Sequence, residues 1–210
     1  TTDGSTPPAP PNGASELEDP IARFEKLLAA AQAVDRTRLP EPTAMTLATI
    51  GTDGQPSARI VLLKSVGSDG FVFYTNLRSR KGADLVHSPR AALCFHWQPL
   101  EVQVRVEGTV ELVPDAEADA YFATRPRISQ LGAWASDQSA PLAAYTELEA
   151  RLREAEQRFT GLAVPRPSHW SGYRLEPRAI EFWRSRPFRL HERQLYERHS
   201  GGWRTTLLFP

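Results

Sequence analysis

Apolar and polar positions alternate along this chain with two periods, and the switches between them mark its elements. Ile21, Phe24, Leu27, Leu28 and Ala31 recur at helical spacing, which predicts an amphipathic helix. Asp19 and Pro20 open it as an N-cap followed by proline in the first turn. Pro40 and Pro42 close the region. A period of two then takes over. Ala44 to Ile50 reads as a strand, and Gly51-Thr52-Asp53-Gly54 turns the chain into the next one. There Arg59, Val61 and Leu63 share one face, and Ile60, Leu62 and Lys64 the other. Gly67-Ser68-Asp69-Gly70 suits a hairpin, so Arg59 to Lys64 and Phe71 to Asn76 are predicted to lie antiparallel. A short helix from Lys81 to Val86 is stopped by Pro89, and Ala91 to Trp97 is a further strand. Val102, Val104 and Val106 then alternate with Gln103, Arg105 and Glu107 in a half-buried strand reaching Val113.

Helical spacing returns after Pro114-Asp115 and is interrupted at Arg125-Pro126; a second piece spans Ile128 to Ala135. A long polar helix is predicted from Pro141 to Phe159, followed by strands at Gly172 to Leu175, Ile180 to Trp183, Leu195 to His199 and Trp203 to Leu208. Many antiparallel strands joined by tight turns, with helices between them, predict an α+β barrel. Residues 1–18 read as a disordered tail, because Thr1 to Ser15 is rich in Pro, Gly, Ser and Thr and poor in apolar residues. Residues 19–210 read as one domain.

Net charge is zero and pI near neutral, so no global field draws the chain to nucleic acid or to an anionic membrane. The single cysteine, Cys94, lies in an apolar run and reads as a structural thiol in a reducing compartment. With no long apolar run, the expectation is a cytoplasmic protein without a membrane partner. The five histidines are scattered, which argues against a metal site. No Walker loop, GxGxxG fingerprint or G-x-S-x-G elbow is present.

What remains is positive charge in clusters. Arg59 and Lys64 flank one strand, and Arg80 and Lys81 open a helix behind Thr75, Asn76 and Ser79. Free N–H groups at a helix start beside such cations suit a phosphate. Only Lys26, Lys64 and Lys81 are lysine in a chain otherwise rich in arginine, and a compact ammonium is not interchangeable with a planar guanidinium. Tyr121, Arg125 and Ser129 stand four apart, and Pro126 could bend the backbone so that they converge on a second phosphate. A solvated helix face with an N-capping serine fits the same spacing. Arg189, His191 and Arg193 would project to one side of a strand, where an anionic or electron-rich ring could face them.

The runs Arg59 to Lys64, Phe73 to Asn76 with Ser79 to Lys81, Leu100 to Gln103, Tyr121 to Ser139, Ile180 to Trp183 and Arg189 to Arg193 resemble the pyridoxine (pyridoxamine) 5′-phosphate oxidases, in unbroken order from about Asp19 to Pro210. The resemblance implies an antiparallel, Greek-key-like, FMN-binding split β-barrel with flanking helices. It implies a homodimer with FMN between subunits, and oxidation of pyridoxamine or pyridoxine 5′-phosphate to pyridoxal 5′-phosphate with O2 reduced to H2O2. Matched motif by motif, Arg59, Ile60, Val61, Leu62, Leu63, Lys64, Tyr74, Thr75, Arg80, Lys81, Gln103, Gln138, Ser139, Trp183 and Arg193 would hold FMN. Lys64, Tyr121, Arg125 and Ser129 would hold the substrate phosphate, and Arg189 and His191 would flank its ring as the catalytic pair. Oxidases of phenazine biosynthesis share the barrel and the Arg-Leu-His-Glu-Arg run, so a related flavin oxidase is the alternative, with a non-catalytic flavin-binding barrel behind it. Many family members carry an Arg-x-x-Tyr closing element near the N-terminus; Thr1 to Glu18 contains neither residue.

Overall fold

The computed structural model describes residues 18–210; all of the expected tail except Glu18 lies outside them. The first helix, α1 (Pro20–Gln32), forms as its spacing predicts, with the Asp19 side chain accepting from the Ala22 N–H. Strands β1 (Ala44–Ile50) and β2 (Pro56–Leu62) make the first hairpin. They are followed by β3 (Ser65–Gly67), β4 (Gly70–Asn76), α2 (Arg80–His87), β5 (Arg90–Trp97) and β6 (Val102–Leu112). Helices α3 (Asp115–Thr124), α4 (Arg127–Ala135) and α5 (Tyr145–Arg158) then precede β7 (Trp170–Arg184), β8 (Glu192–His199) and β9 (Gly202–Leu208).

One antiparallel sheet runs in the order β2-β1-β5-β6-β7-β4-β3, with β8 and β9 continuing from β7. The predicted hairpin between Arg59–Lys64 and Phe71–Asn76 is corrected by this order: β2 pairs with β1, and β4 pairs with the short β3 and with β7. The change of partner falls between two residues. Leu63 N–H still bonds Thr43 on the β1 side, whereas Lys64 N–H already bonds Val72 on β4. Leu63 is driven to the inside by burial, and Lys64 emerges where the two ends of the sheet meet.

The expected strands Gly172–Leu175 and Ile180–Trp183 are one strand, β7. Pro177 interrupts their pattern by removing a donor, and β7 accommodates it with a bulge: Glu107 pairs with Ala179 and Gly108 with Pro177, which leaves Arg178 without a ladder partner. A side chain at Gly108 would meet the Glu176 carbonyl at 2.0 Å. Helix α5 begins at Tyr145, four residues later than predicted.

The barrel interior is aromatic at one end. Phe24 from α1 is fully buried and meets Phe71 and Phe95 edge-on, each at 4.9 Å. Burial of one such ring contributes about 2–3 kcal/mol, so α1 is held as a plug on the barrel mouth. A second cluster, Phe122, Leu131, Ala155, Phe159, Val164 and Trp170, packs the helical layer against the sheet.

Candidate active site

The α3–α4 break is set by one dipeptide. A residue preceding proline is disfavoured in the helical region, and Arg125, before Pro126, takes ψ 147 and ends α3. The kink turns its side chain over the Trp170 ring, with the guanidinium carbon 4.7 Å from the centroid. Trp170 belongs to a stack: Tyr74 lies parallel to it at 5.2 Å and to Tyr121 at 4.1 Å. Tyr74 can lie flat on β7 because its partner there is Gly172, where a Cβ would approach the ring to 2.7 Å. Burial, with Glu117 adding to it, pushes the Tyr74 phenol up to about 12.

Beside this stack lies a cleft of about 700 Å³. Lys64, Lys81 and Arg125 line it, with Tyr121, Ser129 and Thr75, and among the described residues no carboxylate does. In a chain of zero net charge this is a local concentration of positive charge. Among the described residues, Arg125 Nη1 is buried there without a hydrogen-bond partner. Burial pushes the Arg125 guanidinium down, as it does the Lys81 ammonium, which Arg59 lowers further. Ser79 caps α2 by accepting from Gly82 N–H, and Lys81 Nζ reaches Gln138 at 2.7 Å and Ser79 at 3.1 Å. Ser129 sits in the first turn of α4, whose N-cap is Pro126 and not the serine.

The cleft brings together Ile60, Val61, Leu62, Lys64, Tyr74, Thr75, Lys81 and Gln138 with the Tyr121, Arg125, Ser129 set. Leu63 instead turns into the core. Arg59 is engaged behind the cleft, donating to Thr49 Oγ1 at 2.6 Å and Ser57 Oγ at 2.8 Å and standing 3.6 Å from Asp84. Arg80 and Ser139 border an adjoining groove with Arg78 and Gln138. Asn76, grouped in the sequence with Thr75 and Ser79 ahead of the helix, lines the cleft too, as does Trp170, which sequence reasoning missed. Trp170 lies two residues ahead of the predicted strand Gly172–Leu175, and only the pairing of β4 with β7 sets it opposite Asn76.

Trp183, His191 and Arg193 line a separate cleft of about 410 Å³ that shares no residue with the first. Gln103 sits on β6 opposite Trp183. Arg189 borders neither cleft. The expected strand carrying Arg189, His191 and Arg193 is corrected: a tight turn spans Pro187–Arg189, with Phe188 and Arg189 at φ 59° and 61°, and β8 starts only at Glu192. Pro187 begins the turn, and the left-handed residues redirect Arg189 away from a strand face. The His191 ring packs 4.6 Å from Trp183, and its Nδ1 accepts the Arg186 N–H at 3.2 Å. That bond makes Nδ1 the unprotonated nitrogen of the neutral ring and leaves Nε2–H as the donor.

A curled antiparallel sheet with a cationic cleft on its flank, free of carboxylates among the described residues, defines the class: a split β-barrel. Solved structures share this fold. PhzG from Burkholderia lata 383, solved with tetrahydrophenazine-1-carboxylic acid, is 33% identical with TM-score 0.86 over 99% of this chain and 100% of that one. A pyridoxamine 5′-phosphate oxidase-related, FMN-binding protein from Nostoc punctiforme is 18% identical, TM-score 0.72, over 89% and 97%; that likeness speaks for the fold alone. Residues 32–159 match the family described as pyridoxamine 5′-phosphate oxidase, and residues 170–210 match the pyridoxine 5′-phosphate oxidase C-terminal dimerisation region. The chain belongs to the pyridoxamine 5′-phosphate oxidase family. A pyridoxine/pyridoxamine 5′-phosphate oxidase of Myxococcus xanthus DK1622 is 58% identical over 91% of this chain and 92% of the relative. One from Anaeromyxobacter dehalogenans is 55% identical over 97% and 100%. The matched dimerisation region supports a homodimer. Among the described residues, no helix is long and apolar enough to cross a membrane.

Proposed function

We propose that two copies of this chain bind FMN at their interface and oxidise pyridoxamine or pyridoxine 5′-phosphate to pyridoxal 5′-phosphate, with O2 reduced to H2O2. The observation that carries this reading is Arg125 Nη1, a buried donor without an acceptor in a cleft that holds cations and no carboxylate. Leaving such a donor unmet is costly, and a phosphate oxygen would satisfy it.

The residues present fit FMN and a second phosphate ester together. Lys81 and the first turn of α2 form one pole, and Arg125, Tyr121 and Ser129 the other, with Lys64 on the same cleft. When bound, FMN would supply the two-electron redox chemistry that links substrate oxidation to O2 reduction. The chain's own residues bind and orient. Two anchored phosphates would fix two rings against each other, and alignment of that kind accounts for a large share of such rate enhancements. Arg189 would clamp the substrate ring, and His191 Nε2–H would donate to its 3-hydroxyl side. Because Trp183, His191 and Arg193 share no cleft with Lys81 and Arg125, a partner copy is the natural source of the ring-facing groups. The free thiol Cys94 suits a reducing compartment, and we place the enzyme in the cytoplasm.

The alternative, an oxidase of the phenazine-biosynthesis type, has the PhzG likeness in its favour. That protein's ligand is a carboxylic acid without phosphate, whereas the unmet Arg125 beside Tyr121 and Ser129 favours the phosphate ester. Purified protein should be yellow, and aerobic addition of pyridoxamine 5′-phosphate should yield aldehyde and peroxide together. A colourless protein that takes up no FMN would overturn the reading. A yellow protein without turnover would leave a flavin-binding barrel.

A further inference from the structure

Cross-strand register lays two rows of side chains on the outer face of the sheet. Gln103, Trp183 and Arg193 are neighbours on β6, β7 and β8. Two residues along, Arg105, Glu181 and Leu195 make the next row. The first row contains residues proposed above to meet FMN; the second has no role so far.

Glu181 is only 7% exposed although Ile180 and Phe182 on either side of it fill the core. One carboxylate oxygen accepts from Arg193 Nε at 2.8 Å and the other from Arg105 Nη1 at 3.1 Å. Arg105 is held in turn by Glu107 at 2.9 Å, and Glu107 by Arg178 at 3.1 Å. Arg193 Nη1 donates to the Phe209 carbonyl at 3.1 Å. Two of the three guanidinium nitrogens are therefore committed inside the chain, which fixes the plane and leaves Nη2 as its remaining corner. Burying a carboxylate between guanidiniums carries a desolvation cost that pairing barely recovers, so stability alone is a weak reason for it.

We propose that Glu181 is the positioning residue for Arg193: braced from behind by Arg105, it orients the guanidinium so that Nη2 is presented to bound FMN. This rests on Arg193 being an FMN ligand, and the test separates the two ideas. FMN is titrated into apo-protein by quenching of flavin fluorescence for wild type, Arg193→Ala, Glu181→Gln and the double variant. Arg193→Ala should weaken FMN about tenfold or more and Glu181→Gln about three- to tenfold, as expected for charge-assisted hydrogen bonds. The double variant should bind no worse than Arg193→Ala, because Glu181 acts only through the arginine. The visible spectrum of bound flavin should shift in the same direction in both single variants. If Arg193→Ala binds FMN as wild type does, the assignment of Arg193 fails and the proposal falls with it. If Arg193→Ala weakens binding while Glu181→Gln does not, or if the two losses add in full, Glu181 is a structural ion pair only and Arg193 keeps its role. Glu181→Asp, one methylene shorter with the charge retained, gives the same four-way comparison should the amide variant not fold.

Discussion

In the cleft between α2 and the α3–α4 kink, cations stand without a carboxylate among them; on the outer face of β6, β7 and β8, Arg105, Arg178 and Arg193 each have one. The first arrangement costs desolvation that the chain alone does not offset, and burial accordingly pushes Lys81 and Arg125 towards their neutral forms. An anion would reverse that penalty, which supports the proposed reading of this region as a phosphate receptor. The second arrangement is closed upon itself and has little to gain from a further anion. It serves as a frame that aims single groups. Unmet charge thus marks where a ligand sits, and matched charge marks what holds the groups that act on it.

That contrast can be broken by substitution. The largest effect is expected at Arg189, in the turn ahead of β8: Arg189→Ala should lower kcat about a hundredfold or more while FMN content stays near wild type. Equal loss of flavin would make Arg189 a cofactor ligand instead. On the receptor side, Arg125→Ala should raise KM for the phosphorylated substrate about ten- to a hundredfold with little change in FMN affinity. Steady-state kinetics beside an FMN titration checks this, and a loss confined to FMN would move Arg125 to the other phosphate. Lys81→Ala should weaken FMN about tenfold, and a variant as yellow as wild type at limiting FMN would contradict it. Lys81 also gives a pH dependence. Burial favours its neutral form, and phosphate needs the charged one, so FMN affinity is full below its depressed pKa and falls as pH rises through it. The fall should begin below the ordinary lysine range, and Lys81→Arg should move it to higher pH.

Much of this was legible from the chain itself. The period-two strands, the Asp19 cap and the Arg125-Pro126 break were readable because each depends on neighbours in sequence. The switch of partner at Leu63–Lys64 was not, because both candidate partners have the same alternation and only closure of the barrel chooses between them. The left-handed turn at Phe188–Arg189 was hidden for a similar reason: nothing local requires φ above zero from two non-glycine residues. Trp170 and Glu181 were missed because their roles come from residues distant in the chain, Arg125 and Arg193.

The central claim is that one active site is assembled from the receptor of one copy and the framed groups of another. A tagged heterodimer tests it, with Lys81→Ala and Arg125→Ala in one chain and Arg189→Ala and His191→Ala in the other. Both mutant homodimers should be inactive, while the heterodimer keeps one intact site of two and should show roughly half of wild-type activity per dimer. A heterodimer as inactive as its parents would place all these residues in a site within a single chain and contradict the account.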